Sequence, residues 1–137
     1  MKQKLLIFSL LAACLLAACT NSQLKQAVKA AQDECPIDFG DNSQIEKVEI
    51  KDKTVVYTIS TPEDYGFTVD QFDNPFVITL LKASYIETMP MMDNEALQQL
   101  IRQCHADSVT SIFRHVGKDS GYQIDVKIEG ADWNILP

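Results

Sequence analysis

Apolar positions recur along this chain with two different periods, and the change of period divides it into elements. Leu24, Ala27, Val28 and Ala31 fall at i, i+3, i+4 and i+7, which is one face of an amphipathic helix. Asn21 or Ser22 can cap that helix, and Pro36 disfavours helical geometry at Cys35, so the helix is expected to end there. Residues 36–44, rich in Asp, Asn and Gly, read as a loop. Residues 45–50 and 54–60 read as two strands joined by a tight turn at Asp52, with Val55, Tyr57 and Ile59 on one face.

Residues 61–74 are the least regular stretch, mixing four acids with Tyr65, Phe67 and Phe72. Asp73 or Asn74 followed by Pro75 is a good helix start, and the apolar run 76–88 predicts a largely buried helix. Pro90, within residues 89–92, breaks it. Asp93 is expected to cap the next helix, with Ala96, Leu97, Leu100, Ile101 and Cys104 on its inner face. Residues 108–116 and 122–128 read as a second hairpin around the turn Gly117-Lys118-Asp119-Ser120-Gly121. Its second strand alternates cleanly, with Tyr122, Ile124, Val126 and Ile128 inward and Gln123, Asp125 and Lys127 outward. Gly130 should stop that strand, leaving Trp133, Ile135 and Leu136 to fold back on the domain edge.

The predicted order is α-β-β-α-α-β-β. Short connections between neighbouring strands predict an α+β domain: a four-stranded antiparallel sheet of two hairpins, with about three helices on one face. The doubling of a helical part and then a hairpin is one of architecture, with no matching residue identity.

The N-terminus adds an address. Lys2 and Lys4 precede an apolar run over residues 5–16 whose one polar residue is Ser9. The run is shorter than the ~20 residues a bilayer crossing needs, so it reads as a secretory signal. Leu16-Ala17-Ala18-Cys19 resembles the lipobox of bacterial lipoproteins. That resemblance implies that residues 1–18 are removed as a signal peptide and that Cys19 carries a thioether-linked diacylglyceryl group. Leu11-Ala12-Ala13-Cys14 repeats the box earlier in the chain. Cleavage at Cys14 would shorten the apolar core and leave Leu15 and Leu16 in the tether, so Cys19 is preferred. Each buried methylene contributes roughly 0.8 kcal/mol, so two or three acyl chains make such an anchor effectively permanent. Residues 19–22 are then the lipidated end and a short tether, and 23–137 a single domain close to the membrane. Thr20 is not the aspartate of inner-membrane retention, so the expected location is the outer membrane facing the periplasm, with the cell surface as the other orientation.

Removing residues 1–18 takes away Lys2 and Lys4 and no acid, so the net charge goes from −7 to −9. That argues against nucleic acid and against adhesion to anionic lipid. A solvated acidic surface accounts for it; an acidic docking face is the other reading. The same cleavage leaves Cys35 and Cys104. In an oxidising compartment two remaining cysteines usually pair, and closing a loop of this length would contribute on the order of 4 kcal/mol. Two free thiols are the competing reading.

A lipobox, a short helix, Cys35-Pro36, a hairpin with Val55-Val56-Tyr57, a helical middle and a Ser120-Gly121 hairpin together resemble small lipoproteins of unassigned function in Gram-negative anaerobes. The resemblance implies an α+β domain and an envelope location. That family has no established catalytic residues, so it brings no site.

The residues offer little chemistry. Cys104 and His105 are adjacent, but helix neighbours point about 100° apart, which places His105 poorly to activate the thiol. Met89, Met91 and Met92 with His105 suggest soft copper ligation, although methionine more often fills a core. Asp38, Asp41, Asn42 and Ser43 lack the spacing of a calcium loop. Asp38-Phe39-Gly40 spells a kinase triplet without the glycine-rich loop that gives it meaning. Tyr65, Phe67 and Phe72 in residues 61–74 are the best functional hint. Exposed among acids on a long connection they would form a recognition surface and point to binding; tucked under the loop they would form a satellite core.

The leading expectation is a non-enzymatic envelope lipoprotein, held to the membrane by its lipid and binding another envelope protein, with no metal and no cofactor. The alternative is a periplasmic small-ligand- or metal-binding protein or a minor hydrolase, its site between helices and sheet. A pocket converging His105, His115 and acidic side chains would favour that alternative.

Overall fold

Alternation of inward and outward side chains builds five strands. The computed structural model describes residues 22–64 and 68–135. Residues 1–18, Cys19, the tether before residue 22, Tyr65, Phe67 and Leu136 lie outside the described residues.

Helix α1 (22–33) presents Leu24, Val28 and Ala31 to the core, as its spacing predicts. The chain then forms β1 (Ile37–Gly40), β2 (Ser43–Lys51) and β3 (Thr54–Thr61). Both connecting turns place two residues at positive φ: Asp41 and Asn42 at 51° and 62°, Asp52 and Lys53 at 48° and 63°. Two such residues make the turn whose twist matches paired strands. β1 corrects the expectation of a loop over 36–44. The polar, turn-rich stretch is a short edge strand plus its hairpin turn, with Ile37 paired to Ile45.

After β3 come α2 (Pro75–Thr88), α3 (Glu95–Ala106), β4 (Thr110–Gly117) and β5 (Gln123–Ile128). The sheet runs β1-β2-β3-β4-β5, and β3 and β4 pair parallel from Thr54/Thr110 to Thr61/Gly117. The expected four-stranded antiparallel sheet is therefore corrected to five strands, mixed, in the order α-β-β-β-α-α-β-β. Parallel pairing needs a long crossover. The segment carrying α2 and α3 supplies it, joining the two hairpins at the centre of the sheet.

One sheet face carries Ile45, Val48, Val55, Tyr57, Ile59, Phe113, Val126 and Ile128, which form one cluster with residues of all three helices. Tyr57 and Phe113 stack at its centre, 4.4 Å apart. Gln32 of α1 accepts from the Val48 amide at 2.7 Å, beside an irregularity in β2. The opposite face pairs Val56 with Ile112 and surrounds them with charge, a bidentate Arg114–Asp125 pair and Glu49 between Lys47 and Lys51. After β5, Trp133 is buried and Ile135 packs on the core, while Tyr122 stays exposed rather than inward.

The two middle helices differ from expectation in opposite ways. On α3, Leu97, Leu100, Ile101 and Cys104 are fully buried; the cap is Asn94 and not Asp93, its side chain accepting from Leu97 N at 3.0 Å. Helix α2 is capped by Asn74 through Phe76 N and Val77 N. It was expected to be largely buried, yet Tyr85 is its one buried residue. The helix is apolar on more than one side, and a domain this small covers only one of them.

Candidate functional site

The end of β4 sets the site. His115 lies in the inner row, opposite Ile59 of β3 and Ile124 of β5. Its Nε2 is 2.7 Å from Tyr85 Oη and its Nδ1 is 3.2 Å from Thr61 Oγ1. Tyr85 lies against the imidazole at 5.9 Å and 19°, and Phe39 meets Tyr85 edge-on at 5.4 Å. Burial pushes the His115 pKa down to about 4, against a smaller opposite pull from Asp125, and burial also raises that of Tyr85. At neutral pH both are uncharged, so one imidazole nitrogen donates and the other accepts.

Above this pair opens a cleft of about 550 Å³. Phe39 and the Gly40–Ser43 turn form one wall, Val69 and Phe72 another, and Leu81, Ser84 and Tyr85 of α2 a third; Asp41 and Asp64 line it too. Phe72 is the one aromatic of the predicted recognition loop placed by the described residues, half-buried in this wall.

A buried carboxylate fixes the loop wall. Glu63 accepts from Ser120 N at 2.7 Å, Asp119 N at 3.0 Å, Ser120 Oγ at 2.8 Å and Val69 N at 2.9 Å. These donors, led by the Ser120 and Val69 amides, outweigh desolvation and hold its pKa down at about 2. Gly117 leaves the space that the Glu63 carboxylate fills, so an added Cβ would push that carboxylate off its donors. Lys118 N donates to Thr61 O at 2.9 Å, and Tyr122 Oη to Asp73 Oδ2 at 2.5 Å. The loop after β3 is thus stapled to the β4–β5 turn, and the cleft is built before any ligand arrives.

Beside the cleft, α2 presents Phe76, 72% exposed, and Leu80, 55% exposed. They lie one turn apart, and Ser84 on the cleft rim lies one turn further. Met91, beyond the helix end, is 78% exposed. Large apolar side chains standing together in water mark an interaction surface more often than a scattered one does.

Other predicted groups are not brought together. Cys35 and Cys104 are free thiols, which corrects the expected disulfide. Cys35 lies past α1 with its Sγ donating to Ala31 O at 3.5 Å, whereas Cys104 is buried under α3. Burial pushes the Cys104 pKa up to about 11 and raises that of Cys35, the reverse of a reactive thiolate. His105 is turned away from Cys104, its Nδ1 3.0 Å from Gly130 O. Among the described residues this cleft is lined by His115 and not by His105. Met89 is buried and Met91 exposed, so the methionines do not converge on His105. Among the described residues no group of three or more His, Cys, Asp or Glu is placed to hold a metal. Asp41 and Asn42 form the β1–β2 turn, with Ser43 opening β2 and Asp38 in β1, whose Oδ1 accepts from Gly40 N at 3.0 Å.

Sequence reasoning missed Phe39, Thr61, Tyr85, Leu81 and Ser84 as cleft residues, and Phe76 and Leu80 as a surface. For α2 a signal existed: a helix apolar on several sides in a chain too small to surround it. For Phe39 there was none, because a four-residue strand in a polar stretch has no legible period.

No protein-family model matches the chain, and no curated protein matches it in sequence. Solved structures do share its fold. One is a protein of Pseudomonas aeruginosa described as secreted, 10% identical, aligned over 84% of this chain and 93% of its own at a TM-score of 0.55. Another is EpsS, the pilotin of the Vibrio vulnificus type 2 secretion system, 13% identical, over 85% of this chain and 97% of its own at a TM-score of 0.53. At these identities the likeness is one of fold.

Proposed function

We propose that this chain is a non-enzymatic envelope lipoprotein, anchored through Cys19, that docks another envelope protein on the outer face of α2. The observation that carries the reading is the pair Phe76 and Leu80, exposed on an apolar helix beside a preformed cleft. The fold shared with a secretion-system pilotin supports an assembly role. Both nitrogens of His115 are engaged and both thiols are held protonated, which supports a role without catalysis.

A photo-crosslinking amino acid in place of Leu80, in cells of the native host, tests it. A discrete protein adduct is expected at this position, lost when Phe76→Ser is added, and absent with the crosslinker in place of Lys127 on the charged face of the sheet. No adduct at position 80 beyond that seen at position 127 would overturn the reading. Cys19→Ser is expected to move the protein from the membrane to the soluble fraction; a variant that stays membrane-bound would remove the anchor from the account.

A further inference from the structure

We infer that the cleft beside α2 receives a basic, apolar segment of the docked protein. An aliphatic or aromatic side chain enters between Phe39, Phe72 and Leu81, and an adjacent lysine or arginine pairs with Asp41 and Asp64. The inference rests on the docking role proposed above and specifies the partner.

The walls supply the first half of that chemistry. Phe39, Val69, Phe72, Leu81, Tyr85 and Ile124 make the cleft apolar, and its volume suits one or two large side chains. The floor is uncharged, because His115 and Tyr85 satisfy one another. Nothing at the floor calls for a charged ligand group, and an apolar anchor fits there.

The rim supplies the second half. Asp41 and Asp64 line the cleft, and none of the described lining residues is Lys or Arg. The ion-paired cations of the domain are committed elsewhere: Lys47 and Lys51 to Glu49, Lys82 to Asp132, Arg114 to Asp125 and Lys127 to Glu129. Neither Asp41 nor Asp64 has an ion pair among the described residues. Residues 61–74 hold four acids and no base. Two unneutralised carboxylates at the mouth of an apolar cleft favour a cation there. A second copy of this chain, with a net charge of −7 that becomes −9 without residues 1–18, would meet like charge, and so would an anionic lipid surface. Continuity supplies the length. Phe76, Leu80 and Ser84 follow one another by single turns along α2, so a segment lying on the exposed pair runs onto the rim.

The test uses the full chain in detergent and three fluorescein-labelled peptides read by anisotropy. One is of lysine, leucine and phenylalanine; the second has glutamate for lysine; the third has serine for the apolar residues. Ser84→Trp, at an exposed rim position, fills the cleft mouth and sets the background due to micelles. The lysine–leucine–phenylalanine peptide is expected to bind above that background, with the other two at background. Asp41→Asn with Asp64→Asn should weaken it about fivefold, and added salt should weaken it in parallel. Equal binding of the glutamate peptide, or binding unchanged by Ser84→Trp in a variant whose circular dichroism and melting match the parent, would overturn the inference. The in-cell crosslink at position 80 separates the two levels. An adduct that survives both Ser84→Trp and the paired Asn substitutions leaves the docking role standing and removes the cleft from it. Peptide binding without any adduct at position 80 removes the docking role on which the inference rests.

Discussion

Helices α2 and α3 follow one another in the chain, and the more apolar of the two is the less buried. α3 has a clean division: Leu97, Leu100, Ile101 and Cys104 face the sheet with no exposure, and Arg102, His105 and Gln99 face water. α2 buries Tyr85 alone, packs Ile78, Leu81 and Ile86 partway, and leaves Phe76 and Leu80 outside. Burial follows from what a helix can lie against, and the sheet of a small domain offers one side. Apolar surface beyond that side is solvated at a cost, unless a partner covers it.

The sharpest break of this comparison is a matched pair of truncations. Leu100→Ala should destabilise the fold by about 3 kcal/mol, because the site lies between α3 and the sheet and cannot collapse freely. Leu80→Ala should change stability by less than about 0.5 kcal/mol, as at an ordinary surface position. Urea unfolding of both variants checks this, and similar losses would remove the distinction between the helices.

A second prediction concerns the cleft end. Folding lowers the His115 pKa from 6.5 to about 4, so the unfolded chain takes up the proton first as pH falls. The stability held by the neutral ring is fully present above about pH 6.5 and lost on descending to about pH 4, a change of about 3 kcal/mol. His115→Gln should flatten that part of the stability–pH profile, even if it lowers the whole curve. A profile of unchanged slope in the variant would assign the dependence to other groups.

Smaller effects belong to the loop staple. Gly117→Ala should cost about 2 kcal/mol, since the added methyl displaces the Glu63 carboxylate from its donors. Glu63 has its pKa lowered from 4.5 to about 2. Its contribution is therefore present above about pH 4.5 and lost as pH falls toward 2. Glu63→Gln should remove that acid limb while leaving the His115 region of the profile in place; an acid limb kept in the variant would break the assignment.

These residues also mark how far the chain could be read without its structure. The period of 3.6 gave α1 and α3, and strict alternation gave β5 and the β2–β3 hairpin, because in each the core lies on one side and selects one residue type there. β1 was hidden, since four residues beside Asp41 and Asn42 carry no period and become a strand only by pairing with β2. The parallel β3–β4 pair was hidden because local pattern says nothing about which strands meet across a long crossover. The disulfide expectation counted cysteines in an oxidising compartment, whereas pairing depends on where α1 and α3 place them. Glu63 gave no sign, because its four donors come from Val69 and from a turn more than fifty residues further along the chain. The site was half legible. Residues 61–74 do supply a wall through Phe72, and the α2 face that carries the proposal was taken for core.

The most direct test of the account is Phe76→Ser combined with Leu80→Ser, melted in purified form and crosslinked in cells with the crosslinker in place of Ser84, one turn beyond Leu80. The account predicts a melting temperature within about 3 °C of the parent and loss of the protein adduct that the unsubstituted Phe76 and Leu80 support. A fall of about 10 °C or more would show that this face of α2 belongs to the core, and a full-strength adduct on a stable fold would show that the partner docks elsewhere.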